Sequence, residues 1–387
     1  MIRKYLKNIF KDQNRKSQSF IEFNNIAYSD LREIKVGIDA YRKNVIVYRC
    51  VNLIAQSAGH VPWKLMRNNN GNNEVIADHP LYHLLKRPNP EKAGADFFSE
   101  LIAGKLLFGN SYILSTTDTK PPEIYLLHAT ATEVVLEQNQ AIAYRYKSSN
   151  GEKIYPINPI NKMSRVLHLK NYHPTNWHYG LSALDAASLP IDLHQQATYW
   201  NNALLRNGAR PSGALIVKDG NGYLSDEQFE RLQAQLVDKF TGSNNSGKPL
   251  LLEGGLGWQE MSINPKDMDF IESKNSAARE IALAFGVPPQ LLGINGDNTY
   301  SNMQEARLAL WEETLIPLLD KLADALSNWF SHLYQEEIVI DLDRDNISAL
   351  TEKRENLWAK IAGADFMTLN EKRAFVGLKP VAGGDNL

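Results

Sequence analysis

One cysteine, Cys50, is all the sequence contains, so no intrachain disulfide framework is available. That fits a reducing compartment, or a particle assembled in one. Long apolar runs are missing too: nothing approaches the ~18 consecutive apolar residues of a membrane span. The basic opening, MIRKYLKNIFKDQNRKSQSF, has scattered apolar residues and no uninterrupted apolar region, which argues against a secretory signal. The product is expected to be soluble and to stay where it is made. A basic surplus is also absent, with 42 Lys and Arg against 44 Asp and Glu. Proteins that grip nucleic acid by neutralising phosphates usually carry such a surplus, so a repressor or nucleoid protein is a poor reading. A surface past which a polyanion slides without sticking stays compatible with this balance.

What is present is ordinary globular text, 43% hydrophobic and 22% charged over 387 residues, long enough for several packed substructures. Residues 1–40 read as a loosely held arm. From Tyr41 the pattern becomes core-like: Val47, Cys50, Val51, Ile54 and Ala58 recur at three- and four-residue spacing. This predicts a helix with one apolar face, ended by Gly59 and Pro62. Asn68–Asn73 is a turn between strands. Residues 123–170 form a β region. Val134–Leu136 starts a strand, Ile142, Tyr144 and Tyr146 share a face of the next, and Asn150-Gly151 turns before Ile154.

The remainder is mainly helical. Ser182 with Asp185 caps a helix running to about Asn207, with Gly208 beyond its end; Pro190 kinks it or marks its true first turn. Ser225 with Gln228 caps the next, whose stripe is Phe229, Leu232, Leu236 and Phe240, closed by Gly242. Strands are expected near Leu250–Glu253 and Trp258–Ile263, joined by Gly254-Gly255-Leu256-Gly257. Asn264-Pro265 opens a helix carrying Ile271, Ala278, Ile281 and Phe285, which stops at Gly286. After a polar loop comes the longest helix, capped by Ser301 with Gln304. Leu308, Trp311, Leu315, Leu318, Leu322, Leu326 and Trp329 keep its 3/4 spacing over roughly 45–50 Å, with a kink at Pro317. The strand Ile338–Leu342 and two short helices, the last capped by Thr368 with Glu371, finish an α+β chain.

Several motifs suggest chemistry and lack a part it needs. Gly242–Lys248 matches a Walker A loop until Pro249, which has no hydroxyl for Mg²⁺, and a helix precedes where a strand should. Asp341, Asp343, Asp345 and Glu352 sit at calcium-loop spacing, but Asn346 holds the position that needs glycine. His79 and His83 stand four apart but with Pro80 between them and no third ligand close, and His168, His173 and His178, five apart, share no helical face for a metal. No Gly-x-Ser-x-Gly elbow marks a hydrolase. Trp311 and Trp329, in register with the leucines, read as core or subunit-interface residues rather than a base-stacking platform.

Taken in order, CVNLIAQSAGHVPWKL, HPLYHLLKRPNP, LLFGNSYI, RNGARPSGALIV, LSDEQF, GKPLLLEGGLGWQEM, PKDMDFIESKNSAAREIALAFGVPPQLLG, YSNMQEARLALWEETLIPLL and GADFMTLNEKRAFVGLKPVAGGD resemble the portal proteins of HK97-like tailed phages, prophages and gene transfer agents. The resemblance spans roughly residues 40–385 and excludes the arm. It implies a homododecameric ring with wing (41–181), first stem helix (182–208), clip (209–264), second stem helix (265–286), tunnel loop (287–300), a long kinked helix with a wing strand (301–345) and crown (346–387). It also implies double-stranded DNA passing non-specifically, and docking of the terminase large subunit, the head–tail adaptor and the major capsid protein or scaffold. The particle would be a virion assembled in the bacterial cytoplasm, with this chain at a capsid vertex and no membrane, cofactor, metal or catalytic residue involved. Asn295, Asp297, Asn298, Thr299 and Tyr300 are then the tunnel-loop candidates. Lys266, Lys274 and Arg279 either face phosphates or form a solvated helix side. Long exposed helices would supply the complementary faces that a head-to-tail ring requires. The competing readings are a packaging NTPase using Gly242–Lys248 and a calcium-regulated adaptor using Asp343.

Overall fold

The computed structural model describes residues 38–69, 72–76, 78–116, 122–149, 151–206, 213–217, 225–240, 256–260, 270–294 and 300–385. Residues 38–43 are helical and lead into α1 (Val45–Gly59). Asn44 starts α1 by accepting from the N–H groups of Ile46 (3.0 Å) and Val47 (3.3 Å), donors that would otherwise go unpaired. All five residues of the expected apolar face are buried. Burial pushes the Cys50 thiol up to about 12, so it packs as an inert hydrophobe.

β1 (Trp63–Asn69) and β2 (Asn72–Val75) reverse within the asparagine run, pairing Asn69 with Asn72. α2 (Pro80–Lys86) carries proline at its first position, and its cap is His79, whose Nδ1 accepts from Leu81 N–H at 3.1 Å. α3 (Gly94–Phe108) leads into β3 (Asn110–Ser115), β4 (Ile124–Leu127), β5 (Thr132–Glu137), β6 (Gln140–Ser148), β7 (Gly151–Pro156) and β8 (Val166–Lys170). β6 and β7 close with Ser148 opposite Gly151, as the hairpin signal predicts. A second tight turn, Gln138-Asn139 with φ of 48° and 62°, joins β5 to β6. It escapes sequence reading because neither residue is glycine.

The helix expected over 182–207 is divided at Ala187 into α4 (Ala183–Ala186) and α5 (Ser188–Arg206), so Pro190 lies in the first turn of α5, where its missing N–H costs nothing. The capping box holds: Ser182 Oγ accepts from Leu184 N–H at 3.0 Å and Asp185 Oδ2 from Ser182 N–H at 3.2 Å. β9 (Gly213–Val217) precedes α6 (Asp226–Phe240), which has the predicted Ser225–Gln228 box. β10 (Leu256–Glu260) pairs antiparallel with β9. Leu256 and Gly257 are therefore ladder residues and not a connector; 250–253 lies outside the described residues.

The described part of the next helix is α7 (Phe270–Phe285). Its inner face is Ala277, Ala278, Ile281, Ala282 and Phe285, whereas Ile271, expected on that stripe, is 76% exposed. The longest helix begins at Tyr300, so Ser301 is inside it and not its cap. α8 (Tyr300–Ala309) continues through a π-helical stretch, Leu310–Leu315, into α9 (Ile316–Tyr334), about 50 Å in all. The expected irregularity at Pro317 takes this form: Ile316 N–H donates to Trp311, five residues back. Proline brings no N–H to the carbonyl four residues earlier, and a wider turn accommodates that.

β11 (Ile338–Leu342), α10 (Thr351–Ala362) and α11 (Leu369–Phe375) end the order, α11 with its Thr368–Glu371 box. The described strands form small antiparallel sheets ordered β11-β1-β2, β4-β3-β8, β5-β6-β7 and β10-β9. One apolar core joins α1, α3, α7, the α8–α9 rod, β1 and β11. Within it Leu315, Leu319, Leu322, Leu326, Trp329 and Phe330 are buried, and Trp329 Nε1 donates to Ser164 O at 3.0 Å. The rod's stripe is filled by its own chain, so the flanks expected there for a neighbouring copy must be sought elsewhere.

Candidate functional site

α5 and α7 pack on each other, and α7 also on α1. Alanines at 277, 278 and 282 keep the inner face of α7 low, which permits close approach. α5 turns Ile191, His194 and Ala197 inward. His194 Nδ1 lies 3.3 Å from Asn44 Nδ2, and burial, then the charge of Lys274, hold this imidazole below its ordinary pKa. Lys274 is half-buried on this inner side. Arg279 stands about 140° further round α7, with Glu272 Oε1 at 3.3 Å. The two cations thus share a helix and not a face.

The outer side of α5 was overlooked in the sequence. Leu189 (82% exposed) and Leu193 (50%) stand one turn apart on a side of α5 about 120° round from the buried one. A helix with two apolar sides needs two coverings, and among the described residues Leu189 and Leu193 stay exposed. The spacing was the available signal, hidden because the inner stripe carries His194 and reads as polar.

The expected loop is described only at its ends. Lys266, Asn295, Asp297, Asn298 and Thr299 lie outside the described residues, and Tyr300 is the first residue of α8. The chain leaves α7 through Gly286, at φ 68°, and Val287 N–H reaches back to Ala282 O at 2.9 Å. Gly286 O accepts from Thr314 Oγ1 at 2.6 Å, tying this exit to the π turn. A Cβ on Gly286 would stand 2.6 Å from the same oxygen. Ile294, buried, anchors the near end of the loop.

Among the described residues the alternative chemistries find no assembled site. Gly242–Lys248 lies outside the described residues, between α6 and β10, an order that reverses a phosphate loop. Lys64 Nζ pairs with Asp343 (2.6 Å) and Asp345 (3.2 Å). His79 is a helix cap that approaches Glu336 at 3.3 Å. Among the described residues no group of three His, Cys, Asp or Glu could hold a metal ion, and no helix is long and apolar enough to cross a membrane.

The family model described as phage portal protein matches residues 45–377, which takes in every labelled element. The chain belongs to the phage portal protein family. An uncharacterized protein of Rickettsia bellii (strain RML369-C) is 77% identical to it over the whole of both chains. The portal protein of Enterobacteria phage HK97 is 22% identical, covering 88% of this chain and 80% of its own. Among solved structures, a chain in the neck of a native gene transfer agent particle, computed with C12 symmetry, is 38% identical. That match has a TM-score of 0.69 and covers 92% of this chain and 94% of the other. The function is therefore that of a portal, a connector protein, with an α+β fold, and the packaging NTPase is not favoured.

Proposed function

We propose that identical copies of this portal chain close into a ring of twelve, around a channel through which double-stranded DNA passes without sequence selection, and that the chain catalyses nothing. The observation that carries the reading is the 38% identity, over nearly the full length, to a chain of a neck computed with C12 symmetry. Exposed Leu189 and Leu193 on α5 support it, because a head-to-tail ring needs an apolar face that the described part of the same subunit does not fill. The near-neutral charge supports a lining that does not lock onto phosphate.

In this reading α5 and α7, within 182–208 and 265–286, are the stem, and 209–264 is the clip where the terminase large subunit and later the head–tail adaptor dock. Residues 287–300 form the tunnel loop, with Asn295, Asp297, Asn298, Thr299 and Tyr300 meeting DNA through weak polar contacts. Of the helix cations, Arg279 on the outer side suits that role better than Lys274, which shares the face of α7 that carries its buried residues. Residues 41–181 with 301–345 form the wing, against the capsid protein or scaffold, and 346–387 form the crown. The ring would occupy a virion vertex after assembly in the bacterial cytoplasm.

Negative-stain imaging of the purified full-length protein should show rings with a central hole and resolvable symmetry. Monodisperse monomers at every salt concentration would overturn the ring. DNA-stimulated ATP turnover that disappears in Lys248→Ala would overturn the absence of catalysis.

A further inference from the structure

A cleft of about 220 Å³ opens between α3, β8 and α9, away from α5 and the loop after α7. Its floor is apolar, from Ile102, Leu169, Leu318 and Leu322. Three cations line it, one from each element: Lys105, Lys170 and Lys321. None of them forms an ion pair with a carboxylate among the described residues. Lys170 Nζ donates only to a carbonyl, that of Trp177. The imidazole of His168 completes the wall without adding charge: Asn110 Nδ2 is engaged by the carbonyls of Phe108 and Gly180, so Oδ1 faces His168 Nε2 at 3.0 Å and that nitrogen carries the proton.

Cations gathered from segments more than 200 residues apart, with no neutralising acid, are costly unless something anionic joins them. Burial first, and then the charge of Lys321, pull the half-buried Lys105 ammonium below its usual range; burial does the same to Lys170. We propose that this cleft binds a phosphate group, its oxygens shared among the Lys105, Lys170 and Lys321 ammonium groups above the apolar floor. Three ammonium groups offer up to about nine N–H donors, which suits a tetrahedral dianion with several acceptor oxygens. The phosphate could belong to the DNA backbone or be a free ion, and the chemistry of the cleft is the same for both.

The test is amine modification of the full-length assembled protein, read lysine by lysine by mass spectrometry at constant ionic strength. With inorganic phosphate at about twice its dissociation constant, modification of Lys105 and Lys321 should slow about threefold, because only a third of the sites stay open. Lys353, exposed and paired with Glu312, should be unaffected. A short DNA duplex that protects the same lysines assigns the site to backbone phosphate; protection by phosphate alone assigns it to the free ion. In Lys321→Gln, on the exposed side of α9, and in Lys105→Met, protection of the remaining lysines should be lost. Equal rates with and without phosphate, or protection that survives both substitutions, overturn the proposal. So does a Lys105 shielded in rings but not in dissociated subunits, whatever the phosphate concentration, since a neighbour's carboxylates would then fill the cleft.

Discussion

Gly286 and Thr314 show how much rests on single positions outside any periodic pattern. At φ 68° a side chain at 286 is strained in itself, and its Cβ would meet Thr314 Oγ1 at 2.6 Å. Gly286→Ala should cost ~1–2 kcal/mol in denaturant unfolding. Adding Thr314→Ala should relieve the collision and leave only the backbone part. His168 gives a pH signature, since burial, then Lys170, pull its pKa down to about 3. The unfolded imidazole, near 6.5, binds more protons between those values, so stability falls as pH drops through that window. His168 lines the cleft and keeps part of its surface exposed, so the loss by pH 4 should be only ~1–2 kcal/mol. Melting of His168→Gln should show a flatter acid limb, and an unchanged pH profile would contradict the assignment. Cys50 was legible from the helical spacing around it, and three of the four capping pairs because their partners lie within a turn; Ser301 with Gln304 was the exception. The lysine cleft was not, since nothing near Lys105 in sequence announces Lys321.

For whole elements, the sequence yielded those held by local rules and blurred those held by pairing. α1 emerged from its spacing, and α4 and α11 from their boxes. β10 starts two residues before the expected strand because its bounds depend on the register with β9, and the π stretch was read as a simple proline kink. α5 was found, but its second stripe was not. Leu189→Glu and Leu193→Glu should each abolish rings in sedimentation while leaving subunit helicity unchanged, because exposed positions away from the core usually shift stability by less than ~0.5 kcal/mol. Loss of helicity alongside loss of rings would instead make the stripe part of the subunit's own packing. Asn44→Ala, which removes a cap and the partner of His194, should cost ~1 kcal/mol in thermal or urea unfolding.

For the molecule as a whole, local rules could not say which segments lie side by side. The clearest instance is β11, laid antiparallel on β1 from Trp63 opposite Leu342 to Arg67 opposite Ile338. Ile338, Ile340 and Leu342 are all but fully buried, each contributing ~1.5–3 kcal/mol, so together they rival the ~5–15 kcal/mol by which a domain is stable. A chain truncated after Leu350 should therefore melt cooperatively, whereas one truncated after Gln335 should not, as calorimetry would show. The same strand sets a timetable. β1 is made first and must wait, edge uncovered, until the roughly 270 residues between it and β11 have followed. A prematurely terminated copy has an unsealed sheet, and the cell's proteases meet it before its sister chains do.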